Sequence, residues 1–331
     1  MDPRFDEIRA HFGSNCIANW PLRSRVSVLG SSPYTVHLKR DDELSAGISG
    51  SKYRKYASII PYLKDRKIDL VVSEGSEYSN NLAGLSQLLK EYGIKFHFFL
   101  KKGYAPQAAN LRTLKLVSEE DCLEVLTKGD YKNRKKHIKT FLDHETKKGK
   151  NILFLPEGSL HLSAFAGTLT LAYDISLESY DRILIDAGTG GTFLGLYFGM
   201  CLRGFEGRIA LYSLVEDRAY FEELIETFSA DLPTGLIASL KTKVPFEVYG
   251  PCSAAHFGKK TNTSLDAVND IGRRFGVLTD PIYSGPHIHA ALCKISSEFE
   301  ESKNETYLKN TRNLIIHSGG IQSLWGFDSK P

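Results

Sequence analysis

The sequence predicts an α/β fold in which parallel sheets are wrapped by helices. Three observations carry that prediction. Short β-rich runs alternate with helical patterns through most of the 331 residues. Several of those runs are unbroken apolar stretches, Ile183-Leu184-Ile185 among them, which suits strands covered on both faces. The segments between them space apolar residues three and four apart, as one face of a helix does. Strand–helix alternation then implies parallel pairing with right-handed crossovers.

In chain order, the strands expected are Tyr34–Lys39, Asp69–Ser73, Lys95–Leu100, Leu123–Leu126, Ile152–Leu155, Arg182–Asp186, Arg208–Leu214, Pro245–Tyr249 and Asn313–His317. The helix over 53–63 presents Tyr53, Tyr56, Ile59, Ile60 and Leu63 on one face. The helix over 82–92 presents Leu82, Leu85, Leu88, Leu89 and Tyr92, and Gly93 stops it. A third, Phe193–Leu202, is strongly apolar. No internal repeat or low-complexity linker divides the chain, so one wound unit and two interleaved sheets both fit its length.

Bulk properties narrow the function. Hydrophobic residues make up 42% and charged residues 24%, and a net charge of +3 argues neither for nor against an anionic partner. Lys and Arg crowd residues 128–150, but without interleaved aromatics the run reads as a solvated helix face rather than a nucleic-acid surface. The five cysteines (Cys16, Cys122, Cys201, Cys252, Cys293) are odd in number and scattered, with no CxxC pair, so neither a zinc site nor a disulfide framework is expected. No apolar run reaches the length of a membrane span, and Met1-Asp2-Pro3-Arg4 does not read as a signal peptide. The expectation is a soluble protein of the reduced cytoplasm, without membrane or nucleic-acid partners.

Chemistry concentrates where strands meet helices. Strand Arg182–Asp186 runs into Ala187-Gly188-Thr189-Gly190-Gly191-Thr192. Glycines let backbone N–H groups converge there, and the following helix adds its positive N-terminus, giving an anion site. Three readings stay open for this loop: a phosphate-bearing cofactor, a dinucleotide with Glu216 as the ribose-binding acid, or a tight turn with no ligand. Against the dinucleotide, Gly188-Thr189-Gly190-Gly191-Thr192-Phe193 does not fit G-x-G-x-x-G. Lys52 follows Gly50-Ser51 at a helix start, an unfavourable place for a cation. A surface lysine there would be unremarkable, yet the same field favours the neutral amine that a Schiff base needs. Ser79-Asn80-Asn81 opens another helix, where Ser or Asn is an expected N-cap.

The combination resembles a known family. The match begins at Lys39-Arg40-Asp41-Asp42 and continues through Gly50-Ser51-Lys52-Tyr53-Arg54-Lys55. It resumes from Gly75 to Ser79-Asn80, at 187–192, at Asp280-Pro281-Ile282-Tyr283-Ser284-Gly285 and at His317-Ser318-Gly319-Gly320. These segments, in this order over roughly residues 20–327, resemble the 1-aminocyclopropane-1-carboxylate deaminase / D-cysteine desulfhydrase family of fold type II pyridoxal phosphate enzymes. The resemblance implies that Lys52 carries the cofactor and that Asn80 hydrogen-bonds its ring hydroxyl. It implies that Ser79 lies beside the substrate, that Gly188, Thr189, Gly190, Gly191 and Thr192 hold the phosphate, and that Tyr283 stands above the cofactor. Ser318 matches the hydroxyl residue that the desulfhydrase branch places at the pyridine nitrogen; the deaminase branch uses a glutamate where Ser284 stands here. A hydroxyl makes the ring a milder electron sink than a carboxylate would, which suits β-elimination better than opening a cyclopropane.

The implied organisation is a large cofactor-binding domain of residues 1–49 and 163–331 and a small α/β domain of 50–162, with the cofactor in the cleft between them. A homodimer is implied as well. The implied reaction takes a small amino acid to a 2-oxo acid and ammonia by β-elimination, with Lys52 shuttling the α-proton. The alternatives are 1-aminocyclopropane-1-carboxylate deamination, a non-catalytic cofactor-binding protein and a dinucleotide-binding oxidoreductase. Departures from the family pattern fall on the substrate side: Tyr78 for glutamine, Asn81 for histidine, Phe257 in His256-Phe257-Gly258 for a tyrosine, and Pro286 for lysine. They imply an altered substrate. Elsewhere, His287 and His289 are two apart and face different sides of a helix, which argues against a metal site. His317 is expected to be a satisfied core or cofactor-proximal group, and Asp41-Asp42 a charged loop.

Overall fold

Runs of apolar, β-branched and aromatic residues, three to seven long, become the strands of two sheets. The computed structural model describes residues 1–29, 35–48, 50–103, 109–250, 262–301 and 311–326. Tyr34, Cys252 and His256-Phe257-Gly258 lie outside the described residues. In order, the elements are α1 (Asp6–Phe12), β1 (Val26–Val28), β2 (Val36–Lys39), α2 (Ser51–Asp65), β3 (Leu70–Ser76), α3 (Asn80–Glu91), β4 (Lys95–Lys101), α4 (Ala109–Val117), β5 (Leu123–Leu126), α5 (Lys128–Lys132), α6 (Arg134–Lys147) and β6 (Ile152–Leu155). They continue with α7 (Leu162–Tyr173), β7 (Arg182–Ala187), α8 (Gly191–Arg203), β8 (Arg208–Ser213), α9 (Arg218–Ala230), α10 (Thr234–Ala238), β9 (Phe246–Tyr249), α11 (Asn262–Phe275), α12 (Ser284–Glu301) and β10 (Asn313–Ile316).

The larger sheet runs β1-β2-β10-β7-β8-β9 and the smaller β5-β4-β3-β6. Every pairing is parallel except β1 with β2. The unbroken apolar strands are covered on both sides, as expected. Ile183 and Ile185 face α7 and α8, whereas Leu184 and Ile315 face Ile271 of α11 and Ile288 and Leu292 of α12. In the smaller sheet Phe98 and Leu155 pack on Ile59, Leu85 and Leu89, and Phe99 packs on the other face with Tyr131 and Ile138.

Helix α2 is held on several sides. Its Arg54 is fully buried and pairs with Asp41 at 2.6 Å and with Asp174 at 2.8 Å. Lys39 meets the same Asp174 at 2.6 Å. Asp41, expected in a charged segment after the strand, does follow β2 and is a buried counter-ion that ties α2 to its end. Pro61 lies inside α2 and cannot donate to the Ala57 carbonyl. That carbonyl instead accepts the Ala18 N–H at 2.7 Å, so the break is repaired from the N-terminal segment.

Candidate active site

The C-terminal ends of β3, β4, β7 and β10 open on one cleft of about 260 Å³ between the sheets. Its lining includes Lys52, Ser79, Asn80, Tyr283, Ser318 and the whole loop 187–192, so the residues the sequence singles out are brought together in space. Glu216, the acid of the dinucleotide reading, is not in that lining.

Lys52 sits in the first turn of α2, half-buried on the cleft wall. Burial pushes its ammonium below the ordinary lysine range, against the pull of Asp186 and then Asp280. Gly50 makes this position possible. It has φ of +76°, and a Cβ there would lie 1.7 Å from the Ser318 carbonyl oxygen. The same carbonyl accepts the Ser51 N–H at 3.0 Å, which locks the start of α2 onto the end of β10. One helical turn after Lys52, the buried Lys55 donates to the Gly158 carbonyl. Its Nζ lies 3.5 Å from where a Cβ on Gly191 would stand, so it flanks the glycine loop. Burial, with the neighbouring Lys52 adding to it, lowers Lys55 to about 7.

The loop itself follows β7 directly. Gly190 has φ of +85° and caps α8, and a Cβ on it would strike Leu224 at 2.5 Å. Thr192 is 3.3 Å from the Ser51 hydroxyl. With the N-terminus of the 13-residue α8 behind it and Lys55 beside it, the loop is fitted to a phosphate group.

Ser79 is the N-cap of α3, as expected, and its hydroxyl accepts the Leu82 N–H at 3.2 Å. Asn80 has its Oδ1 engaged by Asn110 Nδ2 at 2.8 Å. Its Nδ2 is buried with no hydrogen-bond partner among the described residues, a donor left unused at the cleft. Asn110 is placed by its second contact, to the Tyr78 carbonyl at 2.7 Å. Tyr283 lines the cleft, and burial, then Asp280, raises its phenol above the ordinary range. Asp280 orders this corner: its carboxylate accepts the N–H groups of Ile282, Tyr283 and Ser284 at 2.8, 2.8 and 3.0 Å. Ser284 is buried, and its hydroxyl donates to Asp280 at 2.9 Å. Ser318 Oγ donates to Asp186 Oδ2 at 2.9 Å.

The residues outside the expected site are used structurally. His317 is buried, with Nε2 donating to the Leu278 carbonyl and Nδ1 accepting from Gly319. His287 is 3.4 Å from the Tyr249 hydroxyl, while His289 lies beside Asp270 and Cys293. Of the substrate-side departures, Tyr78 and Asn81 line the cleft. Asn81 bonds Ser159 at 2.9 Å and accepts from the Tyr56 hydroxyl. Pro286 falls in the first turn of α12, where proline is tolerated. Lys55, Asn110 and Asp186 are the residues sequence reasoning missed. Lys55 carried a signal, being three residues after Lys52 on one helix face. Asp186 carried none, its partner Ser318 lying 132 residues away. Asn110 carried none, because its role comes from a contact 30 residues away. Among the described residues, no helix is long and apolar enough to cross a membrane.

Comparison with known proteins agrees with this geometry. A family model described as "Pyridoxal-phosphate dependent enzyme" matches residues 17–311. The chain is 22% identical to the mitochondrial bifunctional D-cysteine desulfhydrase/1-aminocyclopropane-1-carboxylate deaminase of Arabidopsis thaliana, over 92% of this chain and 80% of that protein. It is 23% identical to a putative 1-aminocyclopropane-1-carboxylate deaminase of Pyrococcus horikoshii, over 100% of this chain and 98% of that one. A solved structure described as an ACC deaminase homologue shares its fold, with a TM-score of 0.80 at 21% identity, covering 98% of this chain and 96% of that one.

Proposed function

Since the chain belongs to the pyridoxal-phosphate dependent enzymes, we propose that it is a D-cysteine desulfhydrase-like lyase, taking a small amino acid to a 2-oxo acid and ammonia by β-elimination. The cofactor of the family is pyridoxal 5'-phosphate, which when bound supplies the electron sink for negative charge at the substrate's α-carbon. One observation carries the reading. A lysine kept toward its neutral form, a glycine cradle with a buried lysine beside it, and an unpaired amide donor converge on a single cleft.

Within that reading each group has a task. Lys52 holds the cofactor, and its amine then takes the α-proton. Loop 188–192 and Lys55 hold the phosphate, while Asn80 Nδ2 donates to the ring oxygen. The Ser79 hydroxyl already accepts from Leu82 and keeps its own hydrogen for the substrate carboxylate. Tyr283, held protonated by burial, stands on the cleft wall as a donor to the departing sulfur. The two sheets support a division into domains 1–49 with 163–331 and 50–162, since the larger takes strands from 26–39 and 182–316 and the smaller from 70–155. The same reading makes the protein a homodimer of the cytoplasm, without nucleic-acid or membrane partners. The free thiols of Cys16, Cys122, Cys201 and Cys293 support a reducing compartment.

Steady-state release of 2-oxo acid from D-cysteine, D-serine and 1-aminocyclopropane-1-carboxylate tests the reading. D-cysteine is expected to yield sulfide, 2-oxo acid and ammonia, and Lys52→Ala to abolish both turnover and the yellow colour. Turnover confined to the cyclopropane would favour the deaminase alternative, which the relatives' names also support. A yellow protein inert toward every small amino acid would leave only the non-catalytic alternative.

A further inference from the structure

The serine expected at the cofactor's ring nitrogen does not act alone. Ser318 follows β10 and Asp186 lies near the end of β7, and these are neighbouring parallel strands that deliver both side chains to the floor of the cleft. They are 6% and 7% exposed. The Ser318 Oγ to Asp186 Oδ2 distance is 2.9 Å. The hydroxyl is the donor in that contact, so the single hydroxyl hydrogen of Ser318 is committed to Asp186. What Ser318 presents to the cleft is therefore lone pairs. Asp186 Oδ1 is buried with no hydrogen-bond partner among the described residues, and the lysine that feels its charge, Lys52, is the one this reading commits to the cofactor. A buried carboxylate in that state calls for positive charge close by.

We propose that Asp186 and Ser318 form a positioning dyad that keeps a proton on the ring nitrogen of the cofactor. The inference rests on the reading in which Lys52 carries the cofactor and Ser318 meets its ring nitrogen. A serine that can only accept is matched by N–H, not by a bare nitrogen lone pair, and the charge so held lies one hydroxyl away from Asp186. With the dyad in place the ring would be a stronger electron sink than a serine alone makes it, because a protonated ring withdraws electrons far more strongly than a neutral one. The dyad thereby gives a serine-type site the electronic character of a carboxylate-paired one. It extends the substrate class to amino acids whose β-substituent departs poorly, such as a hydroxyl, beyond those with a thiol. Asp186 touches neither substrate nor cofactor in this scheme and acts through Ser318.

The test is the nitrogen itself. The holoenzyme is loaded with ring-15N pyridoxal phosphate, and its chemical shift is read near neutral pH for the wild type, Asp186→Asn and Ser318→Ala. Borohydride reduction and peptide mapping locate the cofactor in each. The expected result is a pyridinium shift in the wild type and a move to the neutral-pyridine range in both variants, with the cofactor on Lys52 throughout. A neutral ring nitrogen in the wild type overturns the dyad without needing a variant to fold. A pyridinium shift that survives Asp186→Asn overturns it as well. Cofactor trapped on a lysine other than Lys52 overturns the underlying site reading and the dyad with it.

Discussion

Lys55 illustrates how a single buried charge marks a place for an anion. In the unfolded chain its amine keeps a proton up to about 10.5, but in the fold only up to about 7. Between those values the unfolded chain binds more protons, so stability rises with pH, and at neutral pH and below the fold carries the penalty of a buried cation. A phosphate beside Lys55 removes that penalty. Lys55→Met is expected to raise the melting temperature of the cofactor-free protein at pH 7, to abolish its stabilisation by inorganic phosphate, and to weaken pyridoxal phosphate binding about 10- to 100-fold. An unchanged phosphate effect in the variant would place the anion elsewhere. Asn110 is the other quiet residue, because it fixes which way the Asn80 amide faces. Asn110→Leu leaves Asn80 free to rotate, and cofactor affinity measured by absorbance titration is expected to fall several-fold, about 1 kcal/mol, with Lys52 still attached. At this scale the sequence singled out most of the residues that the fold gathers at the cleft. Lys52, Ser79, Asn80, loop 188–192, Tyr283 and Ser318 were legible because each sits at the end of a strand or the start of a helix. Asn110 and Asp186 were not, since their meaning lies in a partner brought close only by folding.

Helix α2 shows what holds a reactive lysine in place. Two motif segments far more alike in position than in chemistry, 39–42 and 50–55, prove to be one unit: Asp41 and Arg54 form a buried bidentate pair at 2.6 and 2.7 Å. Removing one partner leaves the other charge uncompensated in the interior, so Asp41→Asn is expected to cost about 3–5 kcal/mol in a denaturant titration. An apolar double replacement, Asp41→Leu with Arg54→Met, should recover part of that loss. If Asp41→Asn proves neutral, the pair does not anchor the helix. Sequence periodicity found α2, α3 and α8 to within a few residues, because each has a continuous apolar face. It missed β1, whose Val26 and Val28 are exposed and whose three residues carry no pattern. It also ended β3 at Ser73, although pairing of Gly75 with Leu100 and Ser76 with Lys101 carries the strand on to the cleft. That extension places Ser79 and Asn80 at the cofactor site, and a glycine within it reads locally as a stop.

Across the whole molecule, the loss of stability in acid is expected to begin with histidines that the fold buries uncharged. His287 is fully buried between α12 and the larger sheet, against Tyr212 and Tyr249. Burial lowers it from 6.5 to about 4, with Asp186 pulling upward and His317 pushing further down. Burial lowers His97 and His161 as well, in the smaller sheet and at the start of α7. For each, the folded state binds its proton less readily than the unfolded chain does. Between pH 6.5 and about 4 the unfolded chain therefore holds more protons at His287, and stability falls as the pH drops through that window. The His287 contribution amounts to roughly 3 kcal/mol once the pH is below both values. The protein is thus expected to lose thermal stability from about pH 6.5 downward, well before the ordinary carboxylate range. His287→Phe, which cannot titrate and keeps an aromatic ring against Tyr212, should shift that acid limb toward lower pH. Melting temperatures of the two proteins from pH 8 to pH 4 decide the matter. Parallel curves would assign the acid limb to other groups, with Asp174 next in line. Its carboxyl resists protonation through Arg54 and Lys39 despite its own burial. Its share of stability is present above its ordinary value of 3.8 and is lost only at more acidic pH, as its lowered folded value is crossed. The two mechanisms therefore separate on the pH axis, and one set of melting curves distinguishes a histidine-limited fold from one limited by the ion pairs around α2.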